Sequence, residues 1–243
     1  MSRTLDRALE LLEAVLTAPE PMGLMEAAET TGLDKSTALR MLTHLTERGS
    51  LSRDPATKRY AIGPRSFALA ATVSAHSDLR AAAGPHLDDL QGRTGETVSL
   101  HLRVDRRRVC VDGRESAHPV RRVVPLGESL PLSAGPSGKV VLAHLSEDKI
   151  AAVLNAAGLR KADRDAVRAD LERVRQQGYL HTQGDRTVGI RAVSAPIFGP
   201  SGVVGSVTVA GPSERWDGAS AAETAPLITA AAHAISTNLG AST

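Results

Sequence analysis

The sequence is poor in cysteine, in aromatic residues and in long apolar runs. Its only cysteine, Cys110, cannot form an internal disulfide, which argues against an oxidising compartment. Aromatic residues make up 2% of the 243 residues, so the core must be built from Leu, Val, Ile and Ala. No apolar stretch approaches the roughly 20 residues that span a bilayer, and Met1 leads into a charged amphipathic segment without a signal-peptide run. We therefore expect a cytoplasmic protein with no membrane partner.

Motifs of enzymes and metal sites are also missing. Gly138-Lys139 suggests a phosphate-binding loop, but Ser133 occupies the first glycine position and Val140 stands where Ser or Thr should be. No serine lies in a G-x-S-x-G elbow, and the eight histidines lack the spacing of metal ligands. A lone Cys110 on a strand is more often a core residue than a nucleophile. The sequence thus predicts neither an enzyme nor a cofactor nor a metal.

Residues 24–48 (LMEAAETTGLDKSTALRMLTHLTER) predict two short helices joined by a tight turn. Gly32 can adopt the left-handed backbone that ends the first helix. Asp34 can cap the second, which runs from about Lys35 to Arg48. A preceding amphipathic helix over Thr4–Leu16 would support both. This arrangement is typical of a helix-turn-helix.

The second of these helices has two distinct faces. One is apolar and consists of Ala38, Met41, Leu42 and Leu45. The other is short-chained, hydroxyl-bearing and cationic, which suits the major groove of DNA. The residues predicted to contact DNA from it are Lys35, Ser36, Thr37, Arg40 and His44. An ordinary helical hairpin with a solvated polar face would show the same pattern.

A β-hairpin is predicted directly after this helix. Leu51–Asp54 alternates like a strand, Pro55-Ala56-Thr57 turns the chain, and Lys58–Ile62 returns. Such a hairpin is a wing, and its cations suit phosphates or a minor groove. The predicted wing contacts are Arg53, Lys58 and Arg59.

The charge distribution favours docking of one face on DNA. The net charge is only +2. Residues 35–65, however, hold seven basic and two acidic residues, whereas residues 1–34 hold two basic and seven acidic ones. The positive potential therefore lies on the predicted recognition helix and wing.

The rest of the chain predicts a helical connection and then an α+β domain. Phe67–Ala75 is apolar and Ala-rich, which fits a dimer contact nearly as well as packing on its own domain. A helix over about Asp78–Arg93 precedes a strand, Thr97–Val104, with one buried face. Arg106-Arg107-Arg108 fits a solvated hairpin tip better than a nucleic-acid patch. Further strands are predicted at 108–112, 120–124, 179–183, 190–198 and 203–210, and further helices from 137 and over 146–157, 164–177 and 219–239.

The order of these elements, with several local strings, resembles the IclR family of bacterial transcription regulators. The strings include RALELLEAV, GLDKSTALRMLTHLTERGSLSRDPATKRYAIGPRSFALA, LRAAAGPHLDDLQGRTGETVSL, VPLGESLPLSAGPSGKVVLAHL and QGYLHTQGDRTVGIRAVSAPIFGPSG. The resemblance implies a winged helix-turn-helix DNA-binding domain (1–63), a helical linker (64–78) and a GAF-like effector-binding domain (79–243). It also implies a homodimer or a dimer of dimers on a double-stranded, (pseudo)palindromic operator.

The resemblance further implies an effector pocket for a small organic acid or an aromatic compound. Its positions fall on Pro119, Arg122, Leu130, Pro136, Ser137, Thr182, Ile190, Ala192, Thr208 and Ala210. Many relatives carry acids where this chain has Thr182, Gln183 and Gly184, so only Asp185 remains. Arg122 replaces an apolar residue of some relatives, and it could face the pocket or the solvent beside Arg121.

The sequence thus predicts a ligand-responsive DNA-binding regulator, a repressor of a catabolic operon that an acidic effector releases. Two alternatives stay open at this point. One is a small-molecule-binding module without a role on DNA, and the other is an enzyme built on the α+β domain.

Overall fold

The computed structural model describes residues 3–75 and 78–241. The chain divides into two compact units, Met1–Ser77 and Asp78–Thr243. None of the helices in the described ranges is long and apolar enough to cross a membrane. Of the predicted segments, Met1 and residues 76 and 77 of the linker lie outside the described residues.

The first unit contains the two predicted helices and the hairpin. Its elements are α1 (Arg3–Thr17), α2 (Leu24–Thr31), α3 (Lys35–Glu47), β1 (Leu51–Arg53), β2 (Tyr60–Ile62) and α4 (Pro64–Ala75). Gly32 has a φ of 63°, the left-handed conformation that ends α2. Asp34 caps α3 by accepting a hydrogen bond from the Thr37 backbone N–H. The predicted turn and cap are confirmed.

The core of the first unit is built from the apolar faces of α1, α2 and α3. Its buried members are Leu11, Val15, Ala27, Ala28, Leu33, Ala38, Met41, Leu42, Leu51 and Tyr60. Buried Tyr60 ties the hairpin to this core, because its backbone pairs with Met22 through two hydrogen bonds of 2.8 Å. The wing is therefore fixed to the helices at its base. On α4, Phe67 and Leu69 are exposed, and the side chains of residues 71–75 lie outside the described set.

The second unit is an antiparallel sheet with helices on both faces. Its elements are α5 (Asp78–Thr94), β3 (Thr97–Val104), β4 (Arg107–Arg114), β5 (Ser129–Pro131), α6 (Gly135–Leu142), α7 (Glu147–Ala156), α8 (Lys161–Gln177), β6 (Leu180–Gln183), β7 (Ile190–Gly199), β8 (Gly202–Pro212) and α9 (Gly218–Asn238). The strand order is β5-β4-β3-β8-β7-β6. The predicted α+β arrangement is confirmed.

Two apolar clusters hold this sheet between its helices. On one face, α5 and α9 cover alternate strand residues such as Val98, Leu100 and Val207. A second cluster joins α6, α7 and α8 around Val140 and Leu171. Because α6 covers only part of its face of the sheet, the strand residues beside its first turn can line a cavity.

Three details of the sequence prediction were wrong. Residues 120–124 form no strand, because Pro119 and Pro125 lack backbone N–H donors and β5 occupies the place beside β4 instead. The strand Thr97–Val104 has two buried faces rather than one, since Ser99 and His101 are as buried as their apolar neighbours. Arg108 is not at a solvated hairpin tip, as it is 2% exposed.

Candidate functional site

The exposed face of α3 carries the residues predicted to contact DNA. Lys35, Ser36, Arg40 and His44 are exposed, and Thr37 is half-buried. Asp34 accepts hydrogen bonds from the Thr37 backbone N–H at 2.9 Å and from the Ser36 hydroxyl at 2.6 Å. These hydrogen bonds hold the pKa of Asp34 well below its usual range, so the cap is charged at neutral pH. The face is therefore a cationic, hydroxyl-bearing strip on a capped helix, which suits a major groove.

The wing cations are held in different ways. Arg53 is exposed and lies with its guanidinium carbon 5.4 Å from the centre of the Tyr60 ring. Lys58 is exposed at the hairpin turn and has a φ of 60°. Arg59 instead turns back, donating to the Pro21 carbonyl at 2.6 Å and pairing with Glu26 at 2.8 Å. Arg59 thus fastens the wing to α2, whereas Arg53 and Lys58 are available to a ligand.

The second unit holds a cavity on the sheet face opposite α5 and α9. Its volume is about 60 Å³. Its lining residues come from strands, from the start of α6 and from two loops. They are Ser99, His101, Arg108, Arg122, Val124, Gly135, Pro136, Ser137, Thr182, Asp185, Arg186, Thr187, Ile190, Ala192, Thr208 and Ala210. The wall is mostly small and hydroxyl-bearing, and a cross-strand hydrogen bond of 2.8 Å joins Ser194 and Thr208 beneath it.

Arg108 supplies a buried positive charge at this cavity. Its Nε donates to the Ser137 hydroxyl at 2.6 Å, while its Nη1 is buried and has no hydrogen-bond partner among the described residues. Burial, together with the nearby Arg186 guanidinium, lowers the pKa of Arg108 to about 10, so the group stays protonated at neutral pH. Gly135 leaves room for it, because a Cβ there would lie 3.3 Å from Nη2. A buried cation with a free N–H is an arrangement that binds an anion.

Two further cations and a neutral histidine surround Arg108. Burial and the charge of Arg186 lower the pKa of Arg122, which lines the cavity, whereas Arg121 pairs with Glu115 at 2.8 Å. Arg186 itself is held by Glu128, with 3.2 Å between Nη1 and Oε2. Burial, with the charges of Arg108 and Arg186, lowers the pKa of His101 to about 3, which keeps it neutral. The cavity is therefore positive.

Lys139 belongs to a separate ion-pair cluster behind the cavity. Its buried Nζ lies 2.8 Å from Asp170 Oδ2 on α8 and 2.8 Å from Asp185 Oδ2 in the loop after β6. Arg173 contacts the other oxygen of Asp170. The cluster ties this loop to α6 and α8, and it explains why the Gly138-Lys139 pair need not bind a phosphate.

The structure brings most of the predicted pocket residues together. Arg122, Pro136, Ser137, Thr182, Ile190, Ala192, Thr208 and Ala210 line the cavity, whereas Pro119 is exposed and Leu130 lies half-buried on β5 outside the lining. Sequence reasoning missed Ser99, His101, Arg108 and Arg186. Alternation along Thr97–Val104 did mark Ser99 and His101 as sharing a face, but it could not show that this face is covered. No group of three or more His, Cys, Asp or Glu residues that could hold a metal occurs in residues 3–75 and 78–241.

A winged helix-turn-helix unit followed by an α+β unit with a positive cavity defines a DNA-binding transcriptional regulator. Residues 71–237 match the family of bacterial transcriptional regulator IclR C-terminal domains, and residues 4–55 match the IclR helix-turn-helix domain. The chain therefore belongs to the IclR family, as the sequence predicted.

Individual relatives agree with this assignment. The chain is 29% identical over 204 residues to the transcriptional repressor IclR of Escherichia coli K12, covering 81% of this chain and 74% of that one. An IclR transcriptional regulator from Alicyclobacillus acidocaldarius gives a TM-score of 0.84 at 26% identity, with 99% and 100% of the two chains covered. An IclR homologue from Microbacterium hydrocarbonoxydans, crystallised in complex with 4-hydroxybenzoate, shares the fold with a TM-score of 0.80 at 22% identity, covering 98% and 100%. Such relatives are transcriptional regulators rather than enzymes.

Proposed function

We propose that this protein is a ligand-responsive repressor, in which the first unit binds an operator and the second binds a small organic acid. The observation that carries the ligand proposal is buried Arg108, whose Nη1 lacks a hydrogen-bond partner among the described residues at a cavity lined by Arg122 and Arg186. An acid would supply the missing acceptor through a charge-assisted hydrogen bond. No cofactor is needed for this function.

The effector site would use the start of α6 and the concave sheet face. Ser137 is held from both sides, because its hydroxyl accepts from Arg108 and its carbonyl accepts from the Ser206 hydroxyl at 2.8 Å. The N-terminal end of the α6 dipole adds a partial positive charge. The Microbacterium homologue, which holds 4-hydroxybenzoate, supports an acid as the class of ligand for this fold.

DNA binding would use α3 and the wing. We assign Arg40 and His44 to base edges, Lys35, Ser36 and Thr37 to phosphates at the start of α3, and Arg53 and Lys58 to phosphates beside the wing. Arg59 supports the wing from behind. A homodimer, or a dimer of dimers, would present two recognition helices to half-sites about 34 Å or a multiple of it apart. The protein would act in the cytoplasm.

Effector binding would change operator affinity. Coupling between such sites is typically about 1–3 kcal/mol. The relatives named repressors support repression as the direction of control. The regulated genes would form a catabolic operon for the acid that binds or for its precursor.

The test is binding to labelled DNA from the region upstream of this protein's own gene. The full-length chain is titrated at several salt concentrations, with and without a panel of aromatic and short aliphatic acids. The proposal expects a specific, salt-sensitive complex that one acid dissociates. If an acid binds but leaves operator affinity unchanged at fixed salt, the ligand-response part is wrong. If neither this DNA nor a selection from random sequences yields a specific site, the operator part is wrong.

A further inference from the structure

The ion pairs around the cavity decide which cations remain for a ligand. Glu128, just before β5, pairs with Arg186, which lines the cavity. Asp185, although it lines the cavity, is paired with Lys139. Both carboxylates, Glu128 and Asp185, are thus ion-paired with cations other than Arg108 and Arg122.

The cluster behind the cavity is balanced within itself. Lys139 and Arg173 carry two positive charges, and Asp170 and Asp185 carry two negative ones. Arg186 and Glu128 likewise cancel each other. Glu128 also acts favourably on Arg108 and Arg122, but the unfavourable charge of Arg186 is the larger effect on both, so the remaining arginines stay uncompensated.

Arg108 and Arg122 are the two lining cations left without a carboxylate within 4 Å among the described residues. The side chain of Arg108 has one hydrogen bond, to the neutral Ser137 hydroxyl. Arg122 is positioned through its backbone, because its carbonyl accepts from the Thr97 hydroxyl at 2.6 Å, and its side chain is half-buried at the cavity. A ligand with one negative charge would neutralise only one of these guanidinium groups.

We propose that the cavity selects a compact dicarboxylate, with one carboxylate on Arg108 and the other on Arg122. This inference rests on the proposed function and names the charge class of its effector. The cavity volume of about 60 Å³ is less than half that of the engineered 150 Å³ cavity in another protein that accommodates benzene. A short aliphatic chain between the carboxylates therefore suits the site better than a ring.

The experiment is isothermal titration of the full-length chain with malonate, succinate and glutarate. The control ligand is succinamate, the monoamide, which is close to succinate in size and shape but loses one charge. A hydrogen bond to a charged group contributes roughly 10- to 100-fold in affinity. We expect succinate to bind tighter than succinamate by that factor. The Arg122→Gln variant should reduce the ratio to about one, while the neighbouring Arg121→Gln should leave it unchanged.

The outcomes separate this inference from the function on which it rests. Equal affinity for succinate and succinamate in the unmodified chain, or equally tight binding of inorganic phosphate or acetate, overturns the dicarboxylate while the acid-binding regulator stands. Binding of no acid of any class overturns both. If Arg122→Gln does not fold, as judged by Trp216 emission, the comparison of ligands on the unmodified chain decides alone.

Discussion

Replacing Arg108 with methionine should stabilise the ligand-free protein and abolish its response to acids. Arg108 is 2% exposed, and at its guanidinium the unfavourable charge of Arg186 outweighs the favourable charge of Glu128. Methionine is an unbranched apolar side chain that adapts to irregular space in a core. A buried cation without a bound anion lowers the free energy of unfolding of the ligand-free protein. Removing the positive charge should therefore raise it.

The magnitude follows from the pKa of Arg108. The lowering of this pKa to about 10 corresponds to roughly 3 kcal/mol, at 1.36 kcal/mol for each pKa unit. The Ser137 hydroxyl loses its donor in the variant, which costs about 1 kcal/mol. We expect the free energy of unfolding of the second unit to rise by about 1–2 kcal/mol, in line with other buried ions replaced by apolar side chains.

The assay is urea unfolding followed by the emission of Trp216. It is the only tryptophan in the chain and lies in the apolar cluster under α5 and α9, so it reports on the second unit. Arg107→Met is the matched control on the same strand, because the side chain of Arg107 is exposed and, among the described residues, donates hydrogen bonds only to Ser129. Its effect should stay within about 0.5 kcal/mol.

Acid binding gives the second readout of this prediction. An acid at about 100 times its dissociation constant should stabilise the unmodified chain by about 2.7 kcal/mol. The same concentration should leave Arg108→Met unchanged. The reasoning is refuted if the variant loses more than about 1 kcal/mol of stability and is still stabilised by the acid.

Three other predictions concern the remaining sites. Arg40→Ala should weaken operator binding by about 1–3 kcal/mol in anisotropy titrations and leave acid affinity unchanged, and an equal loss of both would indicate general destabilisation instead. Lys139→Met should lower the free energy of unfolding, measured in urea, by about 3–5 kcal/mol, because Asp170 and Asp185 lose their buried cation. An unchanged free energy of unfolding would show that this ion-pair cluster does not stabilise the fold. The pKa of His101 is about 3 in the fold and 6.5 in the unfolded chain, so the unfolded chain binds the proton first as the pH falls. The free energy of unfolding is therefore at its full value above pH 6.5 and falls between pH 6.5 and pH 3. His101→Gln should therefore reduce the loss of stability between pH 6.5 and pH 5 by about 2 kcal/mol, and an unchanged pH profile would show that His101 is not the group responsible.

The first unit could be predicted closely because its determinants are local. Gly32 ends one helix and Asp34 begins the next within three residues, and the apolar spacing of α3 is regular. The role of Arg59 could not be predicted, since its partner Glu26 lies 33 residues away on α2. Sequence neighbours gave no sign that this cation would pair with α2.

The cavity could be predicted only in part because its walls are made by distant segments. Ala192, Thr208 and Ala210 were predicted from the family resemblance, and strand alternation adds only that Thr208 and Ala210 share one face of β8. Arg108 was missed because its burial depends on β5 and on the start of α6, which cover it from positions more than twenty residues later. Arg122 does line the cavity, but strand alternation with Arg121 is not the reason, as neither residue lies in a strand.

The most direct test of the account is operator affinity measured with and without saturating acid, in the unmodified chain and in Arg108→Met. At fixed salt, the acid should weaken operator binding of the unmodified chain by roughly 5- to 150-fold. Arg108→Met should bind the operator with the same affinity in both conditions, equal to that of the unmodified chain without acid. An operator complex of the unmodified chain that persists at full acid occupancy, or a variant that still releases the operator, would contradict the account.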